Sequence, residues 1–145
     1  MSDILNPEMI RVPGTARDRD GAIREAGQIL VDAGAVTQGY IDAIFQREEL
    51  VSTYMGNFLA IPHGTNEAAG HVYRSALSVV KYDRPIDWDG HEVRFAVGVA
   101  GYEGGHLEVL SKIAIVFSDE AEVRTLLQAG TADQLYGLLD AVMED

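Results

Sequence analysis

A histidine at the end of a short apolar run is the residue of this chain best placed to do chemistry. The run from Phe58 to Ile61 is stopped by Pro62, and His63 follows directly. Because proline cannot donate to a strand ladder, we expect a strand to end here and the imidazole to face a reactant. A neutral imidazole is available at neutral pH because its ordinary pKa is about 6.5. The same pattern also fits a histidine that only fills a turn.

The residues after His63 are small or polar. Gly64 lets the backbone come close to whatever the histidine holds. Thr65 and Asn66 then add groups that can form hydrogen bonds. Together these residues favour a binding loop at the exit of a strand.

A second histidine follows a glycine-rich stretch. Glycines at positions 98, 101, 104 and 105 follow a strongly apolar run and lead into His106. If a helix begins there, His106 lies in its first turn, where free N–H groups and the helix dipole favour an anion. The alternative is a flexible glycine loop with an ordinary surface histidine.

Apolar spacing predicts the helices and strands that must position these segments. The first predicted helix covers residues 18–33, with Gly34 just past its end, and the second runs from an N-cap at Thr37 to about Leu50. A third helix is predicted to start at Asp119, and a last one begins with the Thr131/Gln134 capping box. The predicted strands are Phe58–Ile61, Ala76–Val80 and Val93–Ala100. From His106 onward the spacing is helical, although Ile113–Phe117 also fits a strand. Interspersed helices and strands indicate an α/β protein.

Composition bounds the class of protein. The chain has 145 residues, 47% of them hydrophobic, which indicates one domain over residues 1–145. The net charge of −12 argues against a nucleic-acid binder and against docking on anionic lipid. Cysteine is absent from the sequence, which excludes thiolate metal sites and fits a reducing compartment. With no signal-peptide pattern and no apolar run that could span a bilayer, we expect a cytoplasmic protein without membrane insertion.

The stretch from Arg47 to Glu67, REELVSTYMGNFLAIPHGTNE, resembles the active-site segment of the mannitol/fructose-type Enzyme IIA (EIIA) of the bacterial phosphoenolpyruvate-dependent sugar phosphotransferase system. The likeness extends over the whole chain. It includes the Gly21–Gly27 helix, the Gly105–Leu110 segment and the Ser118–Glu120 turn. It implies a single domain with a mixed β-sheet flanked by helices on both faces.

The resemblance implies a phosphotransferase component that carries a phosphoryl group on a histidine. His63 would accept the group at Nε2 from the phosphohistidine of the carrier HPr. It would then pass the group to a cysteine of Enzyme IIB, which works with the membrane component Enzyme IIC in uptake of a mannitol/fructose-class sugar. Such transfer requires no metal and no cofactor.

The same resemblance assigns the residues around His63. His106 matches the family's second histidine, and Arg47 matches an arginine close to the site. Thr65 and His106 are expected to donate to the phosphoryl oxygens, and the planar guanidinium of Arg47 suits phosphate. Gly64 and Asn57 complete the expected binding set, although Asn57 stands where a mannitol-type relative can carry a glutamate. The acidic net charge fits docking on a basic carrier surface, with Tyr54, Met55 and Phe58 as possible apolar contacts.

Other functions remain to be weighed. A regulatory, nitrogen-type EIIA that acts by binding proteins would keep the same histidine. A nucleotide binder is disfavoured because the glycine spacing is not the dinucleotide fingerprint. A serine hydrolase lacks its Gly-x-Ser-x-Gly motif, and a zinc hydrolase lacks His-Glu-x-x-His. His71, at the start of a predicted strand, and His91, in a turn region, are expected to be solvated side chains.

Overall fold

The structure is a computed structural model that describes residues 4–102 and 106–143. These residues form five α-helices: α1 (Arg19–Asp32), α2 (Tyr40–Leu50), α3 (His106–Phe117), α4 (Glu120–Leu127) and α5 (Ala132–Met143). They also form five strands: β1 (Ile10–Arg11), β2 (Tyr54–Gly56), β3 (Leu59–Ala60), β4 (Ala76–Trp88) and β5 (His91–Ala100). Short 3₁₀ segments occupy Pro7–Met9 and Asn66–His71. Within the described ranges, no helix is both long enough and apolar enough to cross a membrane.

The strands form one mixed sheet in the order β1-β4-β5-β3-β2. The central β4 and β5 are antiparallel, whereas β1 joins β4 and β3 joins β5 in parallel. The hairpin turn between β4 and β5 contains Asp89 and Gly90, both with positive φ. This turn geometry matches the twist of paired strands and lets the two long strands pair directly.

Helices cover both faces of the sheet, as predicted. On β5, Gly98 faces α1, because a β-carbon there would lie 3.3 Å from Cβ of Ala26. Phe95, three positions earlier, points to the opposite face. There its ring meets Phe117 of α3 with centroids 5.2 Å apart and planes at 72°. The sheet is therefore buried between two helical layers, and the predicted α/β fold is confirmed.

A buried carboxylate ties α1 to two strands. Glu25 accepts hydrogen bonds from Arg11 of β1, from the backbone of Thr15 and Ala16, and from the Tyr82 hydroxyl of β4. Burial on its own would raise the pKa of Glu25, but these hydrogen bonds outweigh it and lower the pKa to about 2. The group is therefore ionised in the folded protein at neutral pH. It fixes the middle of α1 against the sheet.

Several element boundaries differ from the prediction. Strand β4 continues from Ala76 to Trp88, past the predicted end at Val80. A break in register between Lys81 and Ile86 lets the strand pass Pro85, which has no N–H for the ladder. Because of the bulge and the proline, the sequence pattern did not predict the second half of the strand. Strand β3 is shorter than predicted, β5 begins earlier, and the edge strands β1 and β2 were not predicted.

The start of α2 corrects another prediction. Its N-cap residue is Gly39, not Thr37. The Thr37 hydroxyl instead lies 2.6 Å from Nδ1 of His71. The backbone carbonyl of Thr37 accepts from the Tyr40 N–H. Since His71 closes the second 3₁₀ segment, its predicted place at the start of a strand was wrong.

The C-terminal helices agree with the prediction. Residues 106–117 form a helix, so the alternative strand over Ile113–Phe117 is excluded. The Asp119 side chain accepts from the backbone of Ala121, as an N-cap should. Gln134 N–H donates to Thr131 Oγ1 at 3.1 Å, while its side chain reaches back to a backbone N–H. The Gln134 side chain accepts from Gly130 and not from Thr131 itself, so the predicted capping box is formed only in part.

Candidate functional site

His63 lies where the segment after β3 leaves the sheet beside the end of β5. It forms an isolated parallel bridge with Val99, and the Val99 N–H donates to the Pro62 carbonyl at 3.0 Å. The side chain is half-buried. The predicted strand exit is therefore real, and the histidine stands at the edge of the core instead of within it.

The imidazole of His63 is oriented by its own backbone. Its Nδ1 atom lies 2.7 Å from the carbonyl oxygen of Ile61. A carbonyl can only accept a hydrogen bond, so Nδ1 must carry the proton. In the neutral ring the lone pair then belongs to Nε2. Nε2 is therefore the candidate nucleophilic atom.

The peptide after His63 is held by a buried tyrosine. The Gly64 N–H donates to the Tyr40 hydroxyl at 2.9 Å, and that hydroxyl donates to the Val99 carbonyl at 2.8 Å. A β-carbon at Gly64 would lie 2.6 Å from Cε1 of Tyr40. Glycine is therefore required here by the close approach of the aromatic ring.

A buried carboxylate supports the segment that precedes His63. Glu48 accepts hydrogen bonds from the backbone and hydroxyl of Thr53 and from Nε1 of Trp88. The Thr53 carbonyl in turn accepts from the Ile61 N–H at 3.1 Å. Since Ile61 also holds the imidazole of His63, a chain of hydrogen bonds joins Glu48 to the candidate nucleophile.

Arg47 lies in the last turn of α2 and is half-buried. Its Nη1 donates to the Val51 carbonyl at 2.8 Å, which satisfies a backbone group just past the helix end. The structure thus gives Arg47 a local contact. Its predicted role beside a phosphoryl group stays a prediction.

Asn57 has a structural role in the turn before β3. Its φ of 50° lies in the left-handed region, which asparagine tolerates better than most residues. Its side-chain amide donates to the Phe117 carbonyl at 2.7 Å, at the end of α3. Because this amide is already engaged there, we leave Asn57 out of the proposed phosphoryl site.

Thr65 and His106 complete the predicted set. Thr65 is half-buried and precedes the second 3₁₀ segment, where its carbonyl accepts from the Ala68 N–H. His106 is the first residue of α3, which follows β5 closely in the chain. The topology therefore brings both histidines to the same end of β5. The predicted contact of the His106 side chain lies outside the described part of the molecule.

The other two histidines are exposed, as predicted. His71 nevertheless bonds to Thr37, and His91 stacks on Tyr54 with ring centroids 4.3 Å apart. Of the apolar contacts considered, Met55 is the exposed one. Among the residues that the structure describes, no group of three His, Cys, Asp or Glu side chains could hold a metal ion.

Sequence reasoning missed Tyr40 and Glu48. Tyr40 fits the apolar spacing of α2, and that spacing alone gives it no role in the site. A tyrosine on a buried stripe needs a partner for its hydroxyl, and that need was the available signal. Glu48 gave a similar signal, because it lies four positions after Ile44 on the apolar face of α2.

Known proteins resemble this chain over nearly its full length. The mannitol-specific phosphotransferase enzyme IIA component of Halalkalibacterium halodurans is 48% identical over 141 residues, which cover 97% of each chain. A solved complex of enzyme IIAMTL and phosphorylated enzyme IIBMTL from Escherichia coli contains a chain with a TM-score of 0.87 and 29% identity. That match covers 94% of this chain and 97% of the other.

The nitrogen regulatory protein IIA-Ntr from Neisseria meningitidis has a similar fold, with a TM-score of 0.78 and 28% identity. It covers 94% of this chain and 97% of its own. The fold is thus shared between sugar-specific and regulatory proteins. A sequence profile described as "Phosphoenolpyruvate-dependent sugar phosphotransferase system, EIIA 2" matches residues 3–142. The chain therefore belongs to the EIIA 2 family of the phosphoenolpyruvate-dependent sugar phosphotransferase system, as its resemblance to that family predicted.

Proposed function

We propose that this protein carries a phosphoryl group on Nε2 of His63 as the EIIA component of a mannitol phosphotransferase system. The observation that carries the proposal is the hydrogen bond between Nδ1 of His63 and the Ile61 carbonyl. It leaves Nε2 as the nitrogen with a lone pair in the neutral ring. The 48% identity to a mannitol-specific relative supports mannitol over other sugars.

In the first step the N–P bond of phospho-HPr breaks as an N–P bond forms at Nε2 of His63. The proton on Nδ1 stays in place, held by the Ile61 carbonyl. In the second step the phosphoryl group passes to the thiolate sulfur of an Enzyme IIB cysteine. Enzyme IIB then serves the membrane component Enzyme IIC. The protein described here acts in the cytoplasm.

Catalysis of such a transfer consists mainly of in-line positioning and stabilisation of the phosphoryl oxygens. The hydrogen bonds around His63 supply the positioning. For stabilisation we propose His106 in the first turn of α3, where the positive end of the helix dipole favours an anion. Thr65 would add a hydroxyl donor and Arg47 a planar cation.

Intact-mass spectrometry tests the proposal. The protein is mixed with phosphoenolpyruvate, Enzyme I and HPr at mildly alkaline pH, and a gain of about 80 Da, lost in mild acid, is expected. His63→Ala should abolish the gain, whereas His91→Ala, at an exposed histidine, should keep it. A phosphoryl mass gain that persists in His63→Ala would contradict the assignment of the phosphoryl group to His63.

A regulatory role is the second candidate, supported by the likeness to nitrogen regulatory protein IIA-Ntr. Incubation of the phosphorylated protein with a mannitol Enzyme IIB separates the two. Rapid loss of the phosphoryl group to the Enzyme IIB cysteine is expected for the sugar carrier. Stable retention would favour the regulatory role.

A further inference from the structure

We propose that Tyr40 is a positioning residue for His63, because its hydroxyl fixes the peptide that follows the histidine to the end of β5. The inference rests on the proposed function, in which Nε2 of His63 must face an incoming phosphoryl group. It adds a residue to those that the sequence predicted for the site.

The Tyr40 hydroxyl joins two backbone groups. It accepts from the Gly64 N–H at 2.9 Å and donates its single proton to the Val99 carbonyl at 2.8 Å. Tyr40 is only 4% exposed, so water cannot easily replace either bond. Burial also raises the pKa of Tyr40, although the Gly64 N–H opposes this, so the hydroxyl remains a donor at neutral pH.

Both peptide bonds beside His63 are thereby attached to a single residue of β5. The Val99 N–H holds the Pro62 carbonyl on one side. The Val99 carbonyl holds Gly64 on the other side through the hydroxyl of Tyr40. The backbone at His63 has little freedom to rotate while both links are intact. Loss of the hydroxyl would release the second link and leave the first.

A buried residue of this kind should act on the rate constant of transfer and not on docking. Tyr40 lies beneath the loop, so a protein partner that approaches His63 would not contact it. A small misplacement of a reacting atom can lower a transfer rate by a large factor. The expected signature is a lower kcat with an unchanged KM.

The test compares Tyr40→Phe with Tyr82→Phe. Each substitution removes one buried hydroxyl and keeps its ring, but Tyr82 lies in the middle of β4 and bonds to Glu25 of α1, not to the loop at His63. With phospho-HPr as donor, we expect kcat to fall about tenfold in Tyr40→Phe while KM stays unchanged. Tyr82→Phe should lose stability and keep the kcat of the unmodified protein. An unchanged kcat in Tyr40→Phe, or an equal fall in both variants, would overturn the inference.

A second readout does not depend on phosphoryl transfer. In NMR spectra of the unphosphorylated protein with ¹⁵N-labelled histidine, Tyr40→Phe should shift the ring signals of His63, and Tyr82→Phe should not. If the unmodified protein takes up no phosphoryl group, the proposed function fails, and the ring signals alone decide the role of Tyr40. Unshifted His63 signals in Tyr40→Phe would then reject it.

Discussion

The Nδ1 atom of His63 lies 2.7 Å from the carbonyl oxygen of Ile61, two residues earlier in the chain. At Nδ1 the ring is therefore oriented by a neutral backbone group. A backbone carbonyl does not titrate, so it keeps the same hydrogen bond over a wide pH range. The direction of Nε2 then depends on how firmly the peptides around His63 are held.

Gly64→Ala should slow phosphoryl uptake by about 100-fold. A β-carbon at this position would lie 2.6 Å from Cε1 of Tyr40, so the loop or the ring must move. Either movement breaks the hydrogen bond between Gly64 and the Tyr40 hydroxyl. The initial rate of labelling by phospho-HPr measures the effect.

Gly70→Ala is the matched control. It lies in the exposed 3₁₀ segment that follows Thr65, and a β-carbon there would meet open space. The Gly70→Ala variant should take up the phosphoryl group at the same rate as the unmodified protein. Equal rates in Gly64→Ala and the unmodified protein would show that close packing at Gly64 does not matter for transfer.

Glu48→Gln should lower the free energy of unfolding by about 2–3 kcal/mol. The carboxylate is buried and accepts hydrogen bonds from both Thr53 donors and from Trp88, and an amide cannot accept from all of them. Chemical denaturation measures the loss. Phosphoryl uptake should also slow, because Thr53 holds Ile61, whose carbonyl orients the imidazole of His63.

Glu49→Gln provides the comparison for Glu48→Gln. Glu49 is the next residue of the same helix and is exposed. Its substitution should change the free energy of unfolding by less than about 0.5 kcal/mol. Similar losses in the two variants would refute a special role for the buried carboxylate.

Glu25 should make stability depend on pH in the acid range. Hydrogen bonds lower its pKa in the folded protein to about 2 from an ordinary value of 4.5. The unfolded chain therefore binds the proton more readily, and this contribution is complete above pH 4.5 and is lost as the pH falls toward 2.

Glu25→Gln should remove that part of the pH dependence and cost about 2–3 kcal/mol at neutral pH. Urea denaturation of both proteins between pH 2 and 7 gives the comparison. Parallel stability curves for Glu25→Gln and the unmodified protein would contradict the assignment of the pKa to this carboxylate.

Periodicity predicted the helices well and the strands only in part. Helix α1 was predicted within a residue at each end, because its apolar spacing and Asp18 cap are local signals. The predicted strand over β4 ended too early, because Pro85 and exposed residues interrupt the apolar run. Only the pairing with β5 shows that the strand continues. The edge strands β1 and β2 have two and three residues, too few for a pattern.

The surroundings of His63 were predicted only where the residues adjoin in sequence. The place of His63 at a strand exit could be inferred from the Pro-His-Gly order. Gly64 was expected to approach the group that His63 holds, whereas the structure packs it against Tyr40. The supports from Tyr40, Glu48 and Val99 could not, because they reach His63 through contacts between distant segments. The Asn57 amide donates to the end of α3, a contact between distant segments that periodicity could not show.

The most direct test of the central claim is NMR of the phosphorylated protein with ¹⁵N-labelled histidine. We expect a ³¹P–¹⁵N coupling to Nε2 of His63 and a proton that remains on Nδ1. The same spectrum from His91→Ala should be unchanged at His63. A phosphoryl group on Nδ1 of His63, or on any other residue, would contradict the account.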